Sequence, residues 1–64
     1  MKFIDLENGK IYTDKDGVNA YEFVKLRNDQ LATFKVCEYD EYKGDYVAGD
    51  ETVYLTAREV EELV

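Results

Sequence analysis

The side chains that could carry covalent or acid–base chemistry in this sequence are few in kind. Cys37 is the single thiol, and the chain holds no histidine, tryptophan, proline or serine. A nucleophilic cysteine needs a neighbouring base or a positive environment to form its thiolate. Cys37 instead follows Val36 in an alternating apolar stretch, where a small hydrophobe belongs. The 15 carboxylates offer many pairs, but a glycosidase-like pair also needs one acid raised in pKa inside a cleft. A chain of 64 residues has little depth for such a cleft. No catalytic residue is assigned, and no enzyme is expected.

Metal binding has one local pattern to weigh. Asp14, Asp16, Gly17 and Asn19 share the oxygen-rich character of a calcium-loop opening. That loop requires glycine at its sixth position and glutamate at its twelfth. Counted from Asp14, those positions are Asn19 and Lys25. The stretch therefore reads as a plain turn, and neither a metal nor a cofactor is expected.

The remaining chemistry is recognition. From Glu38 to Glu51 the composition turns to acid, tyrosine and glycine, and we assign partner binding to Glu38, Tyr39, Asp40, Glu41, Tyr42, Asp45, Tyr46, Asp50 and Glu51. Tyrosine buries much area with few rotors to freeze and keeps a hydroxyl for water or a partner. Carboxylates between the rings pair with arginine and lysine and steer encounters with a basic surface. On an extended segment, alternate residues lie about 6.6 Å apart on one face. Acids at that pitch can imitate the charged edge of a nucleic acid.

Charge supports the same assignment. Residues 1–37 carry six acids and six bases, whereas residues 38–64 carry nine acids against Lys43 and Arg58, so the whole net charge of −7 lies in the second part. A chain of this sign repels nucleic acid and anionic membranes, which are bound mainly through lysine and arginine. The expected partner is a protein with a basic surface, in particular a nucleic-acid-binding protein, with no direct nucleic-acid or membrane binding. A lone cysteine excludes an internal disulfide and suggests a reducing, cytoplasmic setting. No apolar run approaches the length of a membrane span, and Asp5 interrupts the start too early for a secretion signal.

These residues need a scaffold, and one domain over 1–64 is expected. Asn8-Gly9 between two apolar stretches predicts a type I′ hairpin joining strands at about 2–7 and 10–14. Asp14 to Gly17 supplies the next turn. Residues 18–27 read as a strand with Val18, Ala20, Val24 and Leu26 on one face and Tyr21 and Phe23 on the other. The alternative is a helix capped by Asn19 and Glu22. A turn at Arg27–Gln30 leads to a strand from Leu31 to Tyr39. The acidic tract predicts an irregular connection, with a short strand at Tyr46–Ala48 turning at Gly49-Asp50. Thr52–Leu55 reads as a strand.

The C-terminus carries the clearest local signal. Thr56 and Glu59 form a capping-box pattern, and Leu55 with Val60 matches a hydrophobic staple. The helix starting at Ala57 would place Val60, Leu63 and Val64 in one stripe that must dock on the sheet, because so short a helix is unstable alone. The expected fold is α+β: a small antiparallel sheet of four to six strands in meander order, packed by one short C-terminal helix. The expected core is Phe3 or Ile4, Leu6, Ile11, Phe23 or Val24, Leu26, Phe34, Val36, Val53, Leu55, Val60 and Leu63.

In size, acidity and aromatic content the chain resembles the small inhibitors made by bacteriophages and mobile elements. These include anti-CRISPR proteins, anti-restriction proteins and inhibitors of uracil-DNA glycosylase. The resemblance is one of composition, and no functional residue is carried over from it. It implies a DNA mimic that presents carboxylates to a basic site. The alternative is a self-associating module, such as a homodimer, that uses a sheet edge or an aromatic face while its charge serves solubility.

Overall fold

The computed structural model describes residues Met1–Val64 throughout. Its element order is a 3₁₀ turn at Phe3–Asp5, then strands β1 (Ile11–Thr13), β2 (Ala20–Leu26), β3 (Leu31–Asp40) and β4 (Asp45–Thr56), then helix α1 (Ala57–Glu61). The strands form one antiparallel sheet in the order β1-β2-β3-β4. That is the expected small α+β meander, with four strands, the low end of the expected range.

The predicted N-terminal hairpin is absent. A turn does form at the expected place, closed by the Lys10 amide donating to the Glu7 carbonyl at 3.1 Å. Of its two central residues only Gly9 has a positive φ, of 82°. A type I′ turn needs positive φ at both, whereas one at the second central position is the pattern of a type II turn. No strand precedes this turn to pair with β1. The Gly9 amide donates instead to the Phe23 carbonyl, and the Phe23 amide to the Lys10 carbonyl, so this segment runs on along β2. Upstream, the 3₁₀ turn sets Phe3 and Leu6 three residues apart, where both pack on the core. Ile4 points away, 89% exposed.

Residues 20–26 are the strand, not the helix, and Asn28 makes the turn that follows, its Oδ1 accepting from the amides of Gln30 and Leu31. The register pairs Phe23 with Phe34 and then Lys25 with Thr33, leaving Val24 as an extra residue in a bulge. The bulge moves Leu26 to the side of Phe23, so the predicted separation of those two fails. Tyr21 and Phe23 face the core, while Ala20 is buried on the other face opposite Cys37.

The core gathers Tyr12, Phe23, Ala32, Phe34, Leu55, Val60 and Leu63. Phe3, Leu6 and Val53 pack against it partly buried, and three other expected members do not. Ile11 and Val36 are only half-buried, and Leu26 is exposed at the strand end. Tyr12 takes a core place that alternation assigned to Ile11. Its ring is buried while its hydroxyl accepts from the Glu7 amide at 2.9 Å, so the polar atom is satisfied.

The helix begins as predicted. Thr56 accepts from the Glu59 amide, and the Glu59 carboxylate accepts from the Thr56 amide. Val60 and Leu63 are buried but Val64 is exposed, because the helix ends at Glu61 and the chain straightens. Val64 then exchanges backbone hydrogen bonds with Thr13, so the segment after β4 reaches the free edge of β1. The elements covering the core are thus the 3₁₀ turn, α1 and the last residues. No helix is long and apolar enough to cross a membrane.

Candidate functional site

The acidic tract is no irregular connection. β3 runs to Asp40 and β4 starts at Asp45, so residues 38–48 form the end of a long hairpin. The turn is closed by the Gly44 amide donating to the Asp40 carbonyl at 2.8 Å, with Gly44 at φ 68°. Asp40 Oδ1 also accepts from the amides of Tyr42 and Lys43. Asp45 Oδ1 accepts from the Tyr46 amide. Side-chain oxygens of aspartate commonly satisfy turn amides in this way. Both aspartates therefore build the tip as well as charge it.

The turn predicted at Gly49-Asp50 is also absent. There the β3–β4 register slips, from Lys35 opposite Thr52 to Cys37 opposite Ala48. Two residues of β3 span four of β4, and the surplus bulges out at Gly49, Asp50 and Glu51. Gly49 lies so close to β3 that a Cβ there would meet the Val36 carbonyl oxygen at 3.3 Å. Gly49 thus fits the close approach of two backbones, a use of glycine different from a turn.

Beyond the bulge the ladder resumes with Glu38 opposite Val47, Tyr39 opposite Tyr46 and Asp40 opposite Asp45. The rings of Tyr39 and Tyr46 meet edge to face, with centroids 5.4 Å apart. This pair braces the hairpin where it extends past the core. An open concavity of about 450 Å³ lies at the tip, lined by Glu38, Tyr39, Asp40, Glu41 and Tyr42. Val47, Ala48 and Gly49 of β4 complete its lining. Tyr42 is wholly exposed. Glu38 and Glu41 are exposed and take part in no ion pair; the chain's only ion pair within 4 Å joins Lys10 to Glu7.

The structure therefore brings Glu38, Tyr39, Asp40, Glu41 and Tyr42 to one concavity, with Asp45 and Tyr46 across the ladder. Asp50 and Glu51 stand apart in the bulge. Glu59 and Glu62 belong elsewhere: they line a second, smaller concavity with Asp14 and Tyr21. The surplus acid of residues 38–64 is thus divided between hairpin and helix rather than gathered in one patch.

At that second concavity, partial desolvation pulls the Asp14 carboxyl upward. Hydrogen bonds from the Asn19 side chain and the Val18 and Asn19 amides, helped by the Gly17 amide, outweigh it and hold the group below its ordinary value. Asp14 is thereby the keystone of the β1–β2 turn. The Tyr21 hydroxyl is pushed up, first by burial and then by the charges of Asp14 and Glu59. Burial likewise raises the Cys37 thiol, with Glu22 adding to it against a weaker opposing backbone hydrogen bond. A buried thiol held protonated matches the packing role read from the sequence.

Sequence reasoning passed over the cations of the open sheet face. Lys25 lies opposite Thr33, which lies opposite Tyr54, and Lys35 sits one row along the same face. The Arg27 guanidinium rests 4.6 Å from the Tyr54 ring centroid. The signal was present in the alternation of Lys25 and Lys35 with apolar neighbours, but reading it required the register. Compared with protein-family models, curated proteins and solved structures, the chain matches none significantly.

Proposed function

We propose that the protein is a non-catalytic inhibitor that docks its β3–β4 hairpin tip into a basic site of another protein. That site is one that otherwise binds nucleic acid, so occupation by the tip blocks it. The mode is that of a DNA mimic, as in the small phage anti-defence proteins, anti-CRISPR and anti-restriction proteins among them, that the composition resembles. The observation that carries the reading is the tip concavity, where unpaired Glu38 and Glu41 flank the exposed rings of Tyr39 and Tyr42. Carboxylates supply steering and pairing to arginine and lysine, and the rings supply contact area at low entropic cost. The unpaired Cys37 fits a reducing, cytoplasmic setting, which belongs to the same proposal.

The alternative of self-association through the sheet edge is weaker on a specific ground. The outer edge strand, β4, carries Asp45, Asp50 and Glu51 and no basic residue. Pairing it with its own copy would set like charges together, and its bulge interrupts the ladder a partner strand would follow. Bulges and charges are common protections of sheet edges.

Capture of partners from a lysate at low and high salt tests the proposal. Glu38→Gln with Glu41→Gln should abolish a salt-sensitive capture of a nucleic-acid-binding protein, because neither side chain has a structural hydrogen bond to lose. Capture unchanged by this pair, at unchanged melting temperature, would discard the reading.

A further inference from the structure

The open sheet face offers a surface of the opposite sign to the tip. Lys25, Arg27 and Lys35 are exposed there, and none has a carboxylate within 4 Å. Glu22, opposite Lys35, is the one acid in register with these rows. Tyr54, 47% exposed, adds apolar area beside the cations. The covered face of the sheet has the 3₁₀ turn and α1; on this face Ala20, Thr33 and Cys37 are buried, while the three cations and Tyr54 stand exposed.

Two complementary surfaces therefore exist on one molecule, and they cannot meet within it. Along β3, strand alternation turns Lys35 and Glu38 to opposite faces, and Asp40 at the tip lies seven positions from Thr33 in the basic rows. At about 3.4 Å per residue this is roughly 24 Å of stiff strand. From this separation we infer that the basic face receives the acidic hairpin tip of a second copy, giving weak head-to-tail self-association.

Complementarity of sign and chemistry names the occupant. The tip carries Glu38, Asp40, Glu41 and Asp45 with one lysine and exposed tyrosines, and thus matches a patch of three cations and a tyrosine. A nucleic acid is a poorer occupant, because the other surfaces of a chain with net charge −7 repel it. Two different patches in contact make a heterologous interface, which leaves one tip and one basic face free for further copies. Such contact also withholds the tip from other partners, so a basic target protein and a second copy compete for it.

The full chain is to be followed by sedimentation velocity up to about 1 mM, at low and at high salt. The average mass should rise with concentration at low salt and return to the monomer at high salt, as screening of exposed charges requires. Two variants then isolate the junction: Lys25→Gln with Lys35→Gln, and Glu38→Gln with Glu41→Gln. All four positions are exposed, and thermal melts check that each variant folds. Each variant alone should stay monomeric, while an equal mixture should form a one-to-one dimer and nothing larger. A wild-type chain that stays monomeric overturns the inference, as does salt-insensitive association or a mixture without dimer. None of these outcomes bears on lysate capture, which reads the inhibitor proposal separately.

Discussion

Asp40 and Asp45 face each other as the last pair of the β3–β4 ladder, two carboxylates directly across a hairpin mouth. Like charges in that position destabilise a sheet. Their oxygens are partly occupied by turn amides, which an asparagine could serve equally well. What asparagine would not supply is the charge. A negative tip kept at some expense of local stability is what a charge-reading surface requires.

Replacing Asp45 by Asn should therefore stabilise the protein while weakening partner capture. The expected gain is about 0.2–1 kcal/mol, the range for a cross-strand charge pair. Urea unfolding at neutral pH reads it, and a loss of stability would show that the repulsion is already screened.

The capping box should be worth its usual amount. Thr56→Ala removes the acceptor for the Glu59 amide and should cost about 0.5–2 kcal/mol. The consequence extends beyond the helix, because α1 carries Val60 into the core and leads the chain to Thr13. Hydrogen exchange should show the Val64 amide losing protection together with the helix.

Two pH limits follow from the second concavity. Asp14 is held below its ordinary value, so its contribution is full above about pH 4 and is lost as pH falls through the lower folded value. Tyr21 is raised, so its contribution is full below about pH 10 and is lost as pH rises through the higher folded value. Asp14→Asn should flatten the acid limb of a melting-temperature profile, and Tyr21→Phe the alkaline limb. Unchanged limbs would remove these groups from the account.

Cys37 should react slowly with a maleimide or a disulfide reagent at neutral pH, and fast once urea unfolds the chain. Burial is the main cause and the Glu22 charge the next. Glu22→Gln should lower the thiol pKa and speed the reaction modestly in the folded protein. Rapid modification of the native wild type would contradict the packing role.

The legible parts of this sequence are those where signal and partner lie within a few residues. Thr56 and Glu59 complete their box locally, and Asn28 and Asp14 fold their turns with amides two to five residues away. Asn8-Gly9 shows the limit of such reading. The turn formed, but its type was set by Phe3 and Leu6 reaching the core and by the bonding of Gly9 and Lys10 to Phe23. A core more distant in sequence overrode the local hairpin preference.

For the site, the chain by itself determined the ingredients: six acids and three tyrosines between residues 38 and 51. It determined the small α+β meander class as well, because strand period and most turn chemistry are local. Only the tertiary structure decided that the tract is a hairpin tip, since continuing β3 to Asp40 depends on pairing with β4 and on the slip at Gly49. Only it placed Lys25, Arg27 and Lys35 on one face and sent Glu59 and Glu62 toward Asp14. Register and packing join residues far apart along the chain, and the direction of a charge is fixed only once those contacts exist.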